Sequence, residues 1–516
     1  MTIHAHEPFG FEGRLVSVEV DIRRGIPSID LVGLAEGAVR EARDRVRAAT
    51  RNSGFEFPLD RVLVNLFPAG LRKEGAAYDL PIALSILCRA GILPDPGKDV
   101  LALGELKLDG TVCAVPGVLP AVAAALRAGI EDFIVPQANG SEARALGAGR
   151  VYPIASLTET TTICASIRVG TPAEDRESGQ FPNPFGRNEE GDFSEIRGLP
   201  RVRRALEIAA AGGHNVILFG PPGSGKTLAA RRFPSLLPDL GREESLESTS
   251  LHSLGTTLAE GSGLLRRPPF RSPHHGSSLE GLIGGGRKAG PGEVSLAHNG
   301  VLFLDEAPEF HRDVLQALRE PLEDHVVSIA RAEQSFRYPA SFILLLAANP
   351  CPCGNLGRRD KACLCSIQEI DRYWRRLGNP LLDRVDIRVP VRPQSEWDLL
   401  GPPGESSSVI RQRVEGARAK QAERNGDNPV LLNGRLTPAH LAERVPLRPE
   451  VMKLLLAAAG KIDLSSRAIH SVIKVARTIA DLRDASEVGE EDLLEAIQHR
   501  RFGDGNFYWE GQEKSL

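Results

Sequence analysis

The stretch Gly220-Pro221-Pro222-Gly223-Ser224-Gly225-Lys226-Thr227 carries the plainest chemistry in this chain. Glycines let backbone N–H groups turn inward around an anion. A lysine then meets phosphate charge, and a hydroxyl binds a metal. The apolar run Val216-Ile217-Leu218-Phe219 precedes the loop, and residues 228–233 follow it. That is a strand, a glycine loop and a helix N-terminus, the setting in which phosphates bind. ATP is the expected ligand, with Lys226 reaching its β and γ phosphates and Thr227 on magnesium.

About 80 residues later, Val301-Leu302-Phe303-Leu304 ends in Asp305-Glu306. An apolar strand is buried, so both carboxylates emerge at its carboxyl end, where α/β sheets bind ligands. Asp305 is expected to hold magnesium and Glu306 to polarise the attacking water. A third apolar strand, 343–346, runs into Ala347-Ala348-Asn349-Pro350. Asn349 beside the phosphates can orient the lytic water; an Asn before Pro is also a common turn. The order of the three strands favours the catalytic role.

Four of the seven cysteines cluster as Cys351-Pro352-Cys353 and Cys363-Leu364-Cys365, with nine residues between the pairs. Two close pairs can close a tetrahedral zinc site across a short loop, and the basic Arg358, Arg359 and Lys361 favour thiolates. The competing reading is four reduced thiols without metal. Cys88, Cys113 and Cys164 stand alone among apolar neighbours and are expected in the core.

These groups need elements to position them. Residues 1–165 read as mixed α/β: strands over 15–22, 29–32, 62–66 and 133–135, and helices over 35–53, 80–90 and up to about 128. The stretch 101–115 reads as a hairpin turning at Asp109-Gly110. The segment 166–194 is a linker; within it, 170–192 is rich in Gly, Pro, Glu, Asp and Asn. From 195 to 392 strands alternate with helices, as a parallel sheet requires. Residues 393–516 form the last region, helical from about Thr437 to Phe502. Pro449 opens one helix there, Ser465 or Ser466 caps another, and Gly489 precedes a third.

Lys plus Arg total 63 against 67 acidic residues, so any nucleic-acid contact must be a local basic feature, not a basic chain. No run approaches the roughly 20 apolar residues a membrane span needs. His4, His6 and Glu7 break the basic-then-apolar layout of a secretory signal. A cytoplasmic protein is expected.

Several longer stretches carry a resemblance. They are Val39-Arg40-Glu41-Ala42-Arg43-Asp44-Arg45-Val46-Arg47-Ala48-Ala49, Ala209-Ala210-Ala211-Gly212-Gly213-His214-Asn215, Phe270-Arg271-Ser272-Pro273-His274-His275, Pro291-Gly292-Glu293-Val294-Ser295-Leu296-Ala297-His298, Asn349-Pro350-Cys351-Pro352-Cys353-Gly354 and Leu464-Ser465-Ser466-Arg467-Ala468. Through them nearly the whole chain resembles the magnesium-chelatase-like AAA+ proteins of the YifB/ComM family. The resemblance implies an AAA+ parallel-sheet core with the Cys loop 351–365, a C-terminal helical lid of the magnesium-chelatase type, and a homo-hexameric ring with ATP at subunit interfaces. Competence members of the family drive DNA branch migration in recombination, so single-stranded or branched DNA is the implied partner. Arg384, in Leu381-Leu382-Asp383-Arg384-Val385-Asp386, resembles the arginine finger that reaches a neighbour's γ-phosphate. Arg467 resembles the sensor-2 arginine.

Residues 1–165 resemble the Lon-protease/S5-like α+β domain through 73–84, Gly104-Glu105-Leu106 and Pro116-Gly117-Val118. The serine region reads Gly75-Ala76-Ala77-Tyr78-Asp79, and the lysine position is Leu119. Without nucleophile and base no acylation is expected, so this is a binding or ring-organising module and not a protease. The residues 327–331 alternate as a strand, with 332–335 as the turn and a return strand from Phe336. This resembles the pre-sensor-1 hairpin of replicative helicases. Arg331 near its tip, and Arg287 with Lys288 in a glycine-rich loop, are the candidate DNA contacts; an exposed basic hairpin without a partner is the competing reading. A DNA motor leads the functional readings. A chelatase motor subunit and a chaperone-like remodelling protein are the alternatives, and DNA-stimulated ATPase activity separates them.

Overall fold

A computed structural model describes every residue except 1, 36, 171–190, 256–257, 259–262, 287–288, 332–333, 359, 395–399, 429, 463 and 501–516. The Arg287–Lys288 pair and most of the expected linker lie outside the described residues.

Strand-forming residues at alternate positions build a seven-stranded mixed sheet near the N-terminus. Its order is Ser28–Val32, Arg61–Phe67, Arg14–Arg23, Ile3–Glu7, Val100–Ala102, Asp132–Pro136 and Arg150–Ile154. Successive residues point to opposite faces. Val100, Ala102 and Ile134 join one apolar cluster, which the helices Gly37–Asn52 and Asp79–Arg89 complete. Leu101, Phe133 and Val135 join the other, with the helix Val118–Arg127. The expected hairpin over 101–115 is smaller than the apolar pattern suggests. Val100–Ala102 belongs to the main sheet, and only Glu105–Leu106 pairs with Val112–Cys113 around Asp109-Gly110.

Asp79, in the segment aligned with the Lon serine, is fully buried and takes a bidentate bond from Arg45 at 2.7 and 2.9 Å. Leu119 is buried as well. Arg40 and Arg43 on the same helix as Arg45 engage the Ala35 carbonyl and Asp44 respectively.

The second sheet has five strands, all paired in parallel: Phe270–Arg271, Val301–Leu304, Ile343–Ala348, Val216–Phe219 and Ile387–Pro390. Counted along the chain this order is 2-3-4-1-5. Every residue of the three central strands is buried, as a parallel sheet covered on both faces demands. Val216, Leu218, Val301, Phe303, Leu345 and Ala347 face one cluster; Ile217, Phe219, Leu302, Leu304, Leu346 and Ala348 face the other.

The C-terminal helices share the first of these clusters with the sheet. Val472, Val475 and Ile479 of Ser466–Leu482 lie in it together with Val451, Leu455 and Leu493. The expected starts are found: Pro449–Ile462, a cap by Ser465 onto the Ala468 N–H, and Glu490–Arg500 after Gly489. A further helix, Ser407–Arg424, lies ahead of the span expected to be helical. Its buried stripe is Ser407, Ile410, Val414, Ala417 and Gln421. Three apolar residues with polar ends give too weak a period to read.

The N-terminal module docks on the second sheet's insertions. Phe9 packs on Phe336 at 4.9 Å between ring centroids, and the Phe11 N–H donates to the Arg337 carbonyl at 3.1 Å. Leu251, Ala289, Phe336 and Tyr338 form a small core there with Phe11 and Leu254 against it. The Gly117 N–H bonds Ser253 of the helix Arg242–Gly255.

Asp79→Ala strands the Arg45 guanidinium beside a buried site. It should lower the stability of the N-terminal module by about 3 kcal/mol, discounted from a fully buried pair because Arg45 is partly exposed. Urea unfolding checks this; a loss below about 1 kcal/mol would show that the pair is dispensable.

Candidate nucleotide site

Strand register assembles the site. Phe219 pairs with Ala348, and Leu304 with Leu346, so all three strands end at one edge. Gly220 therefore emerges level with Asn349, and Asp305 leaves its strand two residues short of that level, on the other side of the Asn349 strand. The Gly220 N–H donates to the Ala348 carbonyl at 3.1 Å, tying the loop to that strand. Gly223 and Gly225 take φ of 77° and 90°, a conformation that favours glycine. The helix Lys226–Arg232 starts directly after.

Thr227 Oγ1 donates to Asp305 Oδ2 at 2.9 Å, so hydroxyl and carboxylate converge as a magnesium ion would need. The Lys226 ammonium bonds the Gly220 and Pro221 carbonyls at 2.5 and 2.9 Å and lies 3.4 Å from Asn349 Oδ1. Ser224 Oγ is buried without a hydrogen-bond partner. A buried lysine, an unsatisfied hydroxyl and a glycine-lined loop fit a polyphosphate. Burial lowers the Lys226 pKa to about 8, although Asp305 and Glu306 pull it upward.

Glu306 is half exposed and takes φ 51°, a left-handed backbone uncommon for a residue with a Cβ. The turn re-aims its carboxylate away from the strand. His275 Nδ1 stands 3.8 Å from that carboxylate, and its ring stacks on His274 at 4.1 Å. Nothing local in Ser272-Pro273-His274-His275 assigns His275 a role. Only the fold brings it to the acidic pair.

Arg384 and Arg467 are not at this chain's phosphate loop. The Asn215 side chain donates to the Arg384 carbonyl at 2.9 Å, and Asn215 precedes Val216. Arg384 thus sits at the amino edge of the sheet, while the loop leaves the carboxyl edge, roughly 13 Å away by strand rise. Both arginines converge on Glu323, Arg384 at 2.5 Å. The hydrogen bond from Arg384, joined by that from Arg467, holds the Glu323 carboxyl below its ordinary range against the effect of burial.

The hairpin is present as Val326–Arg331 and Gln334–Pro339. Its return strand begins at Gln334, two residues earlier than expected, because Ser335 and Gln334 continue the pairing to Ala330 and Arg331. Arg331 is the last paired residue before the tip. Tyr338 donates to the Ala289 carbonyl at 2.7 Å, joining the hairpin to the glycine-rich loop.

Cys351, Cys353, Cys363 and Cys365 come together with their sulfurs all within 4.8 Å of one another. Of the three basic loop residues, Arg359 lies outside the described residues. Arg358 pairs with Asp360, and backbone N–H groups of Leu356 and Asn355 meet the Cys351 and Cys353 sulfurs instead.

A five-stranded parallel sheet in this order, with a phosphate loop on one central strand and an acidic pair two strands away, defines an AAA+ P-loop protein. Models of the magnesium chelatase subunit ChlI match residues 18–139 and 192–399, and a model of its C-terminal region matches 404–500. The chain belongs to the YifB/ComM family of magnesium-chelatase-like proteins. It is 40% identical to the uncharacterized protein YifB of Escherichia coli, over 96% of each chain. It is 39% identical to the competence protein ComM of Haemophilus influenzae, over 96% of this chain and 97% of that one. The magnesium-chelatase 38 kDa subunit of Rhodobacter capsulatus is 28% identical over 60% of this chain and 87% of its own length. Membership points to ATPase activity. Among the described residues no helix is long and apolar enough to cross a membrane.

In the nucleotide-free protein Lys226 loses its proton as pH rises through about 8. Bound phosphates favour the charged form, so ATP binding should take up a proton above that pH, and affinity should fall by up to about tenfold per pH unit. Calorimetry in buffers of different ionisation enthalpy measures the uptake. Lys226→Ala should remove it along with most of the affinity; an unchanged pH profile in that variant would sink the assignment. Glu306→Gln should bind ATP but hydrolyse it about a hundredfold more slowly or worse. Single-turnover kinetics check this, and near-normal turnover would clear Glu306 of the role.

Proposed function

We propose that this protein is an ATP-driven DNA motor working as a homo-hexameric ring, a helicase or branch-migration factor in recombination or natural transformation. The observation that carries the reading is the position of Arg384 and Arg467. Both cations lie at the sheet edge opposite the phosphate loop, so neither reaches the γ-phosphate position of its own chain, where a transferring phosphoryl group needs such charge. A neighbour in a ring presents that edge to the next subunit's loop. Glu323 then pairs with both arginines until a γ-phosphate competes for them.

Lys226, the loop amides, Thr227 and Asp305 hold ATP and its magnesium, which neutralises phosphate charge. Glu306 takes the proton from the attacking water, and Asn349 orients that water. His275 restrains the Glu306 carboxylate between turnovers. DNA enters through the hairpin. Arg331 beside its tip, with Arg287 and Lys288, supplies cations for backbone phosphates without reading bases. The competence name of the Haemophilus relative supports DNA as the partner over a chelatase-like or chaperone-like remodelling complex.

An Arg384→Ala chain should bind ATP yet lose hydrolysis by about a thousandfold. Mixed with Lys226→Ala chains it should recover part of the activity, because one intact interface forms. A mixture that stays dead while rings assemble would refute action in trans. Arg331→Ala should keep basal ATPase activity but lose DNA stimulation and strand displacement, with a shallower salt dependence of DNA binding. Unwinding at the normal rate by hexameric Arg331→Ala protein would take the residue out of the mechanism. An ATPase indifferent to single-stranded, duplex and branched DNA would favour the remodelling alternative.

A further inference from the structure

The four-cysteine turn lies against the phosphate loop. Cys351 is fully buried in the same apolar cluster as Phe219, Ala348 and Trp374. Its sulfur is 3.4 Å from that of Cys353 and 3.6 Å from that of Cys363, while Cys353 and Cys363 are 3.7 Å apart. Four sulfurs around a tetrahedral zinc at ~2.3 Å stand roughly 3.8 Å from one another. Three of the sulfurs already hold that spacing, and Cys365 lies within 4.8 Å of them all. The N–H groups of Asn355 and Leu356 point at two of the sulfurs, at 3.5 and 3.4 Å, and offset thiolate charge. Gly354 and Gly357 take φ of 72° and 84° to turn the chain between the two pairs.

The segment 348–354 touches the phosphate loop three times. Ala348 accepts from the Gly220 N–H, and Asn349 meets Lys226. Gly354 lies so close to Pro222 that a Cβ there would stand 2.9 Å from its Cγ and 3.0 Å from its Cδ. Trp374 anchors the same segment, donating to the Pro350 carbonyl at 3.1 Å while its ring meets Phe219 edge-on.

We propose that Cys351, Cys353, Cys363 and Cys365 bind one zinc ion, and that this ion splints the phosphate loop so that nucleotide affinity depends on it. Thiolates are soft ligands that select zinc among the divalent ions that prefer four-coordination. The ion joins the half-buried pair 363 and 365 to the buried Cys351, which fixes Gly354 on Pro222 and Asn349 beside Lys226. Without it, nothing ties the second cysteine pair to the first, and the turn is released from Pro222. The coupling rests on the nucleotide site described above; the metal assignment does not.

The full-length protein, purified without chelators, should carry one zinc per chain by elemental analysis, with little iron. Cys363→Ser with Cys365→Ser should lower zinc to about a tenth and weaken binding of a fluorescent ADP analogue by about tenfold or more. Gly354→Ala should keep its zinc yet bind the analogue more weakly, since the added methyl meets Pro222. Lys226→Ala should keep zinc and lose the analogue. If the double variant fails to fold, wild-type protein stripped with an organomercurial and then reduced should recover affinity when zinc chloride is added back. Iron in place of zinc, or four freely titrating thiols with little metal, overturns the metal assignment. Zinc-free protein that binds the analogue as tightly as the loaded form overturns the coupling. Failure of the wild-type protein to bind the analogue at all refutes the nucleotide site and the coupling with it, while the zinc content still decides the metal.

Discussion

Parallel pairing between Val216–Phe219 and Ile343–Ala348 governs this structure. In register, Phe219 opposes Ala348, so both strands stop at the same level and hand their next residues to a common edge. The Gly220 N–H then bonds the Ala348 carbonyl, continuing the ladder one step into the loop. A slip by one residue would turn Leu218 and Phe219 to the wrong faces and carry Asn349 away from Lys226. Burial on both faces makes such a slip costly, since each strand feeds two apolar clusters at once. The chemistry of the loop is thus inherited from the packing of residues that touch no ligand.

The opposite edge of the same sheet is organised by Asn215 and His214. The Asn215 carbonyl accepts from the Asp386 and Ile387 N–H groups, and its side chain joins Arg384 to Leu344. His214 links Asp386 to Thr478 of the helix Ser466–Leu482. Gly212 leaves room for this, because a Cβ there would overlap both His214 and Thr478. One short stretch therefore fixes where both arginines stand. Glu323 gives them a shared partner, pairing the largely buried Arg384 and the exposed Arg467 in the absence of a neighbour.

Much of this was legible in the sequence. The loop, the acidic pair and Asn349 announce themselves because each follows an unbroken apolar strand, and burial forces polar residues to the strand ends. The thiol cluster was legible from spacing alone. Other parts were not. Ile3–Glu7 reads His4-Ala5-His6, and nothing in those residues signals a central strand; its burial comes from pairing with Arg14–Arg23 and Val100–Ala102. The helix Ser407–Arg424 hides behind polar ends. The placement of Arg384 and Arg467 on one glutamate depends on contacts more than 60 residues apart in the chain, which no local pattern encodes. His275 reaches Glu306 only through the fold.

The seat of Phe9 on Phe336 has a consequence for how the chain comes apart. Phe336 and Tyr338 belong to the hairpin, yet their cover comes from residues 9–11 at the far end of the sequence. Cutting the chain between the two sheets would not yield two finished proteins. The C-terminal fragment would present Phe336, Leu251 and Leu254 to water as one apolar patch, and the N-terminal fragment would present Phe9 and Phe11. Each fragment would carry an adhesive surface matched to the other. The hairpin is likewise tethered: displacing its strands would shear an aromatic contact or drag seven N-terminal strands along.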